Sequence, residues 1–318
     1  MASMSPLSES INAGYTVLAN GPAWLDRSYR RLLEVSGKDK TAWAHNLTTN
    51  QIKTLGANEG NYAFVLNAQG RILLDAVVVA RADSIWIDVD ARFLDAALAH
   101  FNKYIIMEEV RITNRAADFL RLGLVGRQAR GLLATWGAGQ AGAMAPYSMA
   151  KAVIQGIEVD LMRNDFCGEL GVDLFVPAVS AGIIAPLIHR CATKVDGEVI
   201  EVRRIEAGIP WPGAEITGEY LPAETRQIER AVSFQKGCYL GQEIVERMRA
   251  RKVVARLLCG LVADGDAVPV PGAEIRSADG TPVGRVTSSC RSLALDRPIA
   301  LGYMKSAAAI AGTTATIG

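Results

Sequence analysis

Residues 236–243 read Lys236-Gly237-Cys238-Tyr239-Leu240-Gly241-Gln242-Glu243, the most unusual local sequence of the chain. Two glycines bracket a cysteine. Glycine reaches positive φ freely and lets backbone approach a ligand or another chain closely. Residues 242–248 read as the first turns of a helix, with Glu243 and Arg247 four apart. A cysteine just before a helix start, two residues from Lys236, should have its thiolate favoured. The expectation is a reactive or ligating thiol on a tight loop. The bland alternative is a small core residue in a glycine-rich turn.

The other four cysteines, Cys167, Cys191, Cys259 and Cys290, have no such surroundings and read as packing residues. Five widely spaced cysteines without a C-x-x-C pair do not form a disulfide framework. His45, His100 and His189 share no ligand spacing, so the chain by itself offers no zinc site. No G-x-S-x-G elbow supports a Ser-His-Asp triad. No basic residue precedes Arg27, so neither a secretory signal nor a mitochondrial presequence is read at the start. The apolar window 178–188 is too short to span a bilayer and holds Pro186. The expected setting is the cytoplasm, with reduced thiols.

The 318 residues are half hydrophobic, enough for a large buried core, and the length suits two or three domains. Thirty-four basic against 33 acidic residues leave a formal charge of +1. That balance argues against a general electrostatic grip on nucleic acid or anionic lipid. Aromatic content of 6% argues against repeated base stacking.

Around the cysteine loop the chain alternates strands with single helices. A strand ending at Val35 precedes a helix with Trp43 and Leu47 on one face, and Thr48-Thr49-Asn50 reads as its stop. Residues 62–66 and 72–80 form a hairpin about the turn 67–70, and 84–89 is a third strand. Residues 91–103 have helical spacing, 111–113 is a short strand, and 120–125 and 128–136 read as strand and helix. A small-residue loop, 137–146, leads to strands at 156–162 and 172–176 and a helix at 178–190. This pattern predicts α+β rather than a doubly wound parallel sheet. After about Val253 the helix signal vanishes, alternation runs through 253–261, and close Asp-Gly and Pro-Gly turns predict a small β-barrel. The division expected is 1–250 as two α+β subdomains and 251–318 as a C-terminal barrel.

The eight-residue stretch resembles the K-G-C-Y/F-x-G-Q-E signature of the YgfZ-type folate-binding proteins, relatives of the aminomethyltransferase (T protein) of glycine cleavage. All fixed positions match: Lys236, Gly237, Cys238, Tyr239, Gly241, Gln242 and Glu243. Further blocks agree in order: Ser36-Gly37 then Thr49-Asn50, Leu66 to Arg71, Gly168 to Asp173, Arg204 to Pro210, Leu221 to Glu224, and Val283 to Ser289. The resemblance covers roughly residues 27 to 305.

That resemblance implies three subdomains in a cloverleaf, the last a β-barrel, around a cavity for tetrahydrofolate or a one-carbon derivative. It places Asp75 near the folate's reactive nitrogens, Tyr62 along the pocket and Glu206 on the pterin edge. Asn67 of the turn and Arg247 of the basic run join them as folate-binding residues. A pterin edge offers adjacent N–H donors that a carboxylate accepts as a pair, and an acid near the nitrogens can handle a proton. Without the resemblance, Asp75 reads as a solvated strand residue, Glu206 as a surface ion-pair partner of Arg203 or Arg204, and Tyr62 as core. The chain departs from the aminomethyltransferases at Phe166-Cys167, where they carry Tyr-Thr. Arg247, Arg249, Arg251, Lys252 and Arg256 form a solvated helix end, or else a site for a folate's glutamate tail or an acidic partner.

The leading function is thus a tetrahydrofolate-binding accessory protein for assembly or repair of iron–sulfur proteins, including radical tRNA-modifying enzymes. Cys238 is its functional thiol and classical turnover is not expected. Cys238 alone cannot hold a cluster, so a transiently shared cluster needs ligands from an assembly protein, a client enzyme or a second copy. The alternatives are a folate-dependent aminomethyl or one-carbon transferase with Asp75 as its key acid, and a ligand-free interaction scaffold.

Overall fold

The computed structural model describes residues 6–251 and 254–318, so Lys252 of the basic run and Val253 of the alternating stretch lie outside the described residues. In chain order the elements are α1 (Pro6–Asn20), β1 (Ala23–Asp26), β2 (Arg30–Ser36), α2 (Lys40–Leu47), β3 (Gly60–Leu66), β4 (Ile72–Ala80), β5 (Ile85–Asp90) and α3 (Leu94–Lys103). Next come β6 (Arg111–Asn114), β7 (Phe119–Val125), α4 (Ala129–Thr135), β8 (Met149–Ile154), β9 (Ile157–Arg163), β10 (Gly171–Pro177), α5 (Ala181–Cys191) and β11 (Thr193–Lys194). The remainder is α6 (Gly197–Glu206), α7 (Ile228–Ala231), α8 (Gln242–Arg251), β12 (Arg256–Val262), β13 (Glu274–Arg276), β14 (Pro282–Ser292), β15 (Arg297–Lys305) and β16 (Thr316–Ile317).

The architecture is α+β, with three sheets ordered β11-β1-β7-β10-β9-β8, β3-β4-β5-β2-β6 and β12-β15-β14-β13-β16. The chain divides into two compact units. One comprises Met1–His45, Gln51–Tyr62 and Ala76–Ile200; the other Asn46–Asn50, Ala63–Asp75 and Glu201–Gly318. No helix among the described residues is long and apolar enough to cross a membrane.

In the first unit the helical spacing at 91–103 resolves into a tight turn and a helix. The Asp90 carboxylate accepts the Arg92 amide at 2.9 Å, capping residues 91–93 before α3 begins at Leu94. Ala97 and Phe101 carry its buried face, and Phe101 meets Trp43 edge-on at 5.4 Å. The small-residue loop contains a tight helical turn at Gly139–Ala143, where Ala141 is buried among Leu133, Ile154 and Leu161.

The same unit buries a charge network. Asp173 on β10 accepts Arg27 Nε at 2.9 Å and Arg121 Nη2 at 2.6 Å, with Asn164 Nδ2 at 3.3 Å. Arg121 on β7 also pairs with Asp88 on β5, which takes Arg30 Nε at 3.0 Å. Gly123 stands opposite Asp173 in the register, and a Cβ there would lie 3.1 Å from Arg27 Cγ, so glycine makes room for the guanidinium. The Arg27 guanidinium sits 3.9 Å over the Phe166 ring and Arg121 4.5 Å over Phe175. Three guanidiniums and two carboxylates thereby tie β5 of one sheet to β7 and β10 of another.

In the second unit β12 is not the one-faced strand that alternation from Val253 predicts. Leu258 is buried with Ile205, Tyr220, Ile299, Leu301 and Tyr303, while Cys259 and Leu261 turn to Ile275, Val283, Val286, Ala300 and Met304. Both faces of the C-terminal sheet carry apolar clusters, so polar–apolar alternation is lost. Glu215 is fully buried here. It takes Arg204 Nη1 at 2.9 Å, Ser288 Oγ at 2.6 Å, Thr287 Oγ1 at 2.7 Å and the Trp211 amide at 3.0 Å.

Candidate functional site

The cysteine loop is built into the second unit by its own side chains and backbone. Lys236 is buried, at 6% exposure. Its ammonium donates to the carbonyls of Thr48 and Asn50 and lies 4.9 Å from the Tyr239 ring centroid. Leu240 N donates to Asn46 O at 3.0 Å and Ser233 N to Thr49 O at 3.0 Å. Thr49 Oγ1 donates to Ala231 O at 2.6 Å and accepts Phe64 N at 2.8 Å, and Asn50 Nδ2 donates to Arg230 O at 2.8 Å. The stretch Asn46–Asn50, which includes the helix stop read at Thr48-Thr49-Asn50, is therefore stitched along its length to residues 230–240.

The far side of the loop rests on the 67–70 turn. Gly241 has φ +81°, and a Cβ there would lie 2.7 Å from Asn67 O and 3.1 Å from both Gly70 Cα and Leu66 Cβ. Only glycine satisfies both the left-handed backbone and that contact. Tyr239 is buried, and its hydroxyl has no hydrogen-bond partner among the described residues. Burial, then the Glu246 carboxylate, raises its phenol above the usual range. Gln242 closes the loop into α8, donating N–H to Tyr239 O at 3.1 Å and accepting Tyr239 N at 3.3 Å on Oε1. Gly237 and Cys238 remain exposed. The bland expectation of a core cysteine does not hold: Lys236 and Tyr239 are buried, while Cys238 between them is exposed.

Two features of the expected environment differ. The Lys236 ammonium serves buried carbonyls, and α8 begins four residues after Cys238. Cys191, expected among the packing residues, is exposed at the end of α5, whose inward positions are Ile184 and Ile188. Cys167 is buried as expected. Burial raises the Cys259 thiol, and burial with Glu206 and Glu201 pushes Cys290 up to about 12, so both stay protonated near neutrality.

Asp75 on β4 is buried at 6% exposure, and Asn67 is an Asx turn whose Oδ1 accepts the amides of Gln69 at 3.0 Å and Arg71 at 2.9 Å. Tyr62 belongs to the first unit, where its buried ring stacks on Tyr147 with centroids 6.1 Å apart. Glu206 ends α6. Its Oε1 accepts Ser292 Oγ at 2.7 Å and Ala294 N at 3.1 Å, and its Oε2 takes Arg203 at 3.0 Å. Arg203, named as an alternative partner from the sequence, is thus one of its contacts. Arg247 is exposed on α8 beside Glu243. The basic run splits: Arg256 is held by Glu224 at 3.1 Å and Glu219 O at 2.6 Å, while Arg249 lies 4.2 Å over Phe234. Glu215, a buried anchor of this unit, is not picked out by the sequence, because one acid among thirty-three acidic residues carries no local signal; Glu224, the other, appears there only as the end of the Leu221–Glu224 block.

The family model described as the GCVT N-terminal domain matches residues 4–236, and that of the glycine cleavage T-protein C-terminal barrel domain matches 256–318. The chain belongs to the glycine cleavage T-protein family. Its similar relatives include an aminomethyltransferase of Rubrobacter xylanophilus, 26% identical over 92% of this chain and 79% of the relative. An aminomethyltransferase of Streptomyces avermitilis is 28% identical over 91% and 79%, and a putative chloroplastic transferase of Arabidopsis thaliana 25% over 94% and 69%. In fold, the T-protein family likeness extends to the glycine cleavage system aminomethyltransferase T of Bartonella henselae. It superposes with a TM-score of 0.86 at 21% identity, over 96% of this chain and 84% of that one.

Proposed function

We propose that this T-protein family member is a tetrahydrofolate-binding accessory protein for the assembly or repair of iron–sulfur proteins, radical tRNA-modifying enzymes among them, with Cys238 as its functional thiol. The observation that carries the reading is the exposed thiol on a loop anchored by buried Lys236, buried Tyr239 and close-packed Gly241. Such a thiol is presented to a second macromolecule at no ordering cost. Among the described residues no group of three or more His, Cys, Asp and Glu could hold a metal ion. A cluster on Cys238 would therefore draw its remaining ligands from an assembly protein or a client. A reducing compartment, in which cysteines are not drawn into disulfides, would suit this role.

Folate fits the family and, in part, the residues. Asp75 is a buried acid on the strand where the resemblance expects one. Glu206 is less open than the resemblance implies, because a pterin edge would compete with Arg203 for its Oε2. Glu206→Gln is expected to weaken tetrahydrofolate binding roughly 10-fold or more in calorimetry, the loss of one charge-assisted hydrogen bond. Unchanged affinity would remove Glu206 from the pocket, and no heat with the wild type would leave the ligand-free scaffold reading.

One-carbon transfer is the second reading, favoured by the relatives named aminomethyltransferases. Against it stands Phe166, where the resemblance expects a tyrosine near the cofactor; here the ring carries Arg27 of the buried network. Methylenetetrahydrofolate formed from an aminomethyl-lipoyl carrier, lost in Asp75→Asn and kept in Cys238→Ser, would establish the transferase instead.

A further inference from the structure

We propose that Lys236 is a positioning residue, clamping residues 46–50 to the cysteine loop, rather than the charge that activates the Cys238 thiol. Its ammonium is buried while the thiol two residues away is exposed, so the two side chains leave the backbone toward opposite environments. A buried ammonium must have its donors taken up. Here Thr48 O and Asn50 O accept them, with the Tyr239 ring alongside. The Leu240 amide on Asn46 O completes the clamp on the other side of Cys238. The loop is thus pinned to one stretch of backbone, residues 46–50, by Lys236 just before the exposed pair Gly237-Cys238 and by Leu240 two residues after Cys238, which fixes where the thiol stands.

This inference takes Cys238 as the functional thiol from the reading above. Its test involves neither folate nor an iron–sulfur client, so either can fail alone. In Lys236→Met, amide exchange in residues 46–50 and 237–241 should rise about tenfold or more, with β15 unchanged as the marker of a folded unit. The pH midpoint of Cys238 alkylation, followed by peptide mass spectrometry, should stay within about half a unit, since a lost neighbouring cation would move it by about one or more. Lys236→Arg is the second variant should the methionine protein not fold. It keeps the charge but replaces the point donor by a planar fork, and the same exchange increase with the same midpoint is expected. Exchange at the wild-type rate in the variant that folds, or a midpoint raised by more than half a unit in Lys236→Met, would overturn the proposal.

Discussion

Arg121→Leu is expected to destabilise the protein by about 3 kcal/mol, from the loss of its three buried charge-assisted hydrogen bonds to Asp88 and Asp173. Arg121 bonds both carboxylates, Asp88 and Asp173. Leucine fills much of the volume but returns no charge, so Asp173 keeps Arg27 and Asn164, and Asp88 keeps Arg30. Urea unfolding at neutral pH reads the loss; a change under about 1 kcal/mol would mean that water reaches the network.

The acid limb of the stability curve reports the same network. Burial pushes the Asp173 carboxyl upward, but Arg27 and Arg121 outweigh it and hold it at about 2, below its ordinary 3.8. Asp88 is lowered in the same way by Arg121 and Arg30 against its burial. A depressed carboxylate contributes stability above its unfolded value and loses it as pH falls through the folded one. The wild type should therefore lose about 2 kcal/mol from Asp173 between roughly pH 4 and pH 2. In Arg121→Leu that limb should be smaller and end at higher pH, because with one of the two cations gone the folded carboxyl moves up toward its unfolded value.

Gly241→Ala is expected to cost about 3 kcal/mol, combining a left-handed backbone with overpacking. The added Cβ would meet the Asn67 carbonyl at 2.7 Å, and backbone cannot rotate aside as a side-chain tip can. Gly237→Ala is the matched control. Nothing lies within 4 Å of its Cβ and its φ is not positive, so a change of only a few tenths of a kcal/mol is expected. Equal costs at the two glycines would mean that the loop does not rest on the 67–70 turn.

Much of the fold was legible because it is written locally. The hairpin about residues 67–70, the strand at 172–176 and the helix beginning at Gln242 follow from spacing and turn residues within a dozen positions. The α+β class follows from their alternation. What was illegible is non-local. Arg27 and Asp173 stand 146 residues apart and Lys236 reaches back 188 to Thr48, so no local period reveals either partner. The same limit applies to direction. Sequence distance placed Lys236 beside Cys238, but successive side chains of a tight loop can face core and solvent in turn. Two glycines and a lysine around Cys238 are a local signal that marks the loop, whereas the burial of Glu215 depends on Arg204, Thr287 and Ser288.

The central claim is that Cys238 does the work of the protein on a partner. The direct measurement is complementation of a deletion in the native host, reading iron–sulfur enzyme activity and modified tRNA bases with wild type, Cys238→Ser and Asp75→Asn. Because the Cys238 side chain is exposed, Cys238→Ser should leave stability within about 0.5 kcal/mol. It should nonetheless fail to restore those activities. Full restoration by a stable, normally expressed Cys238→Ser protein would contradict the account.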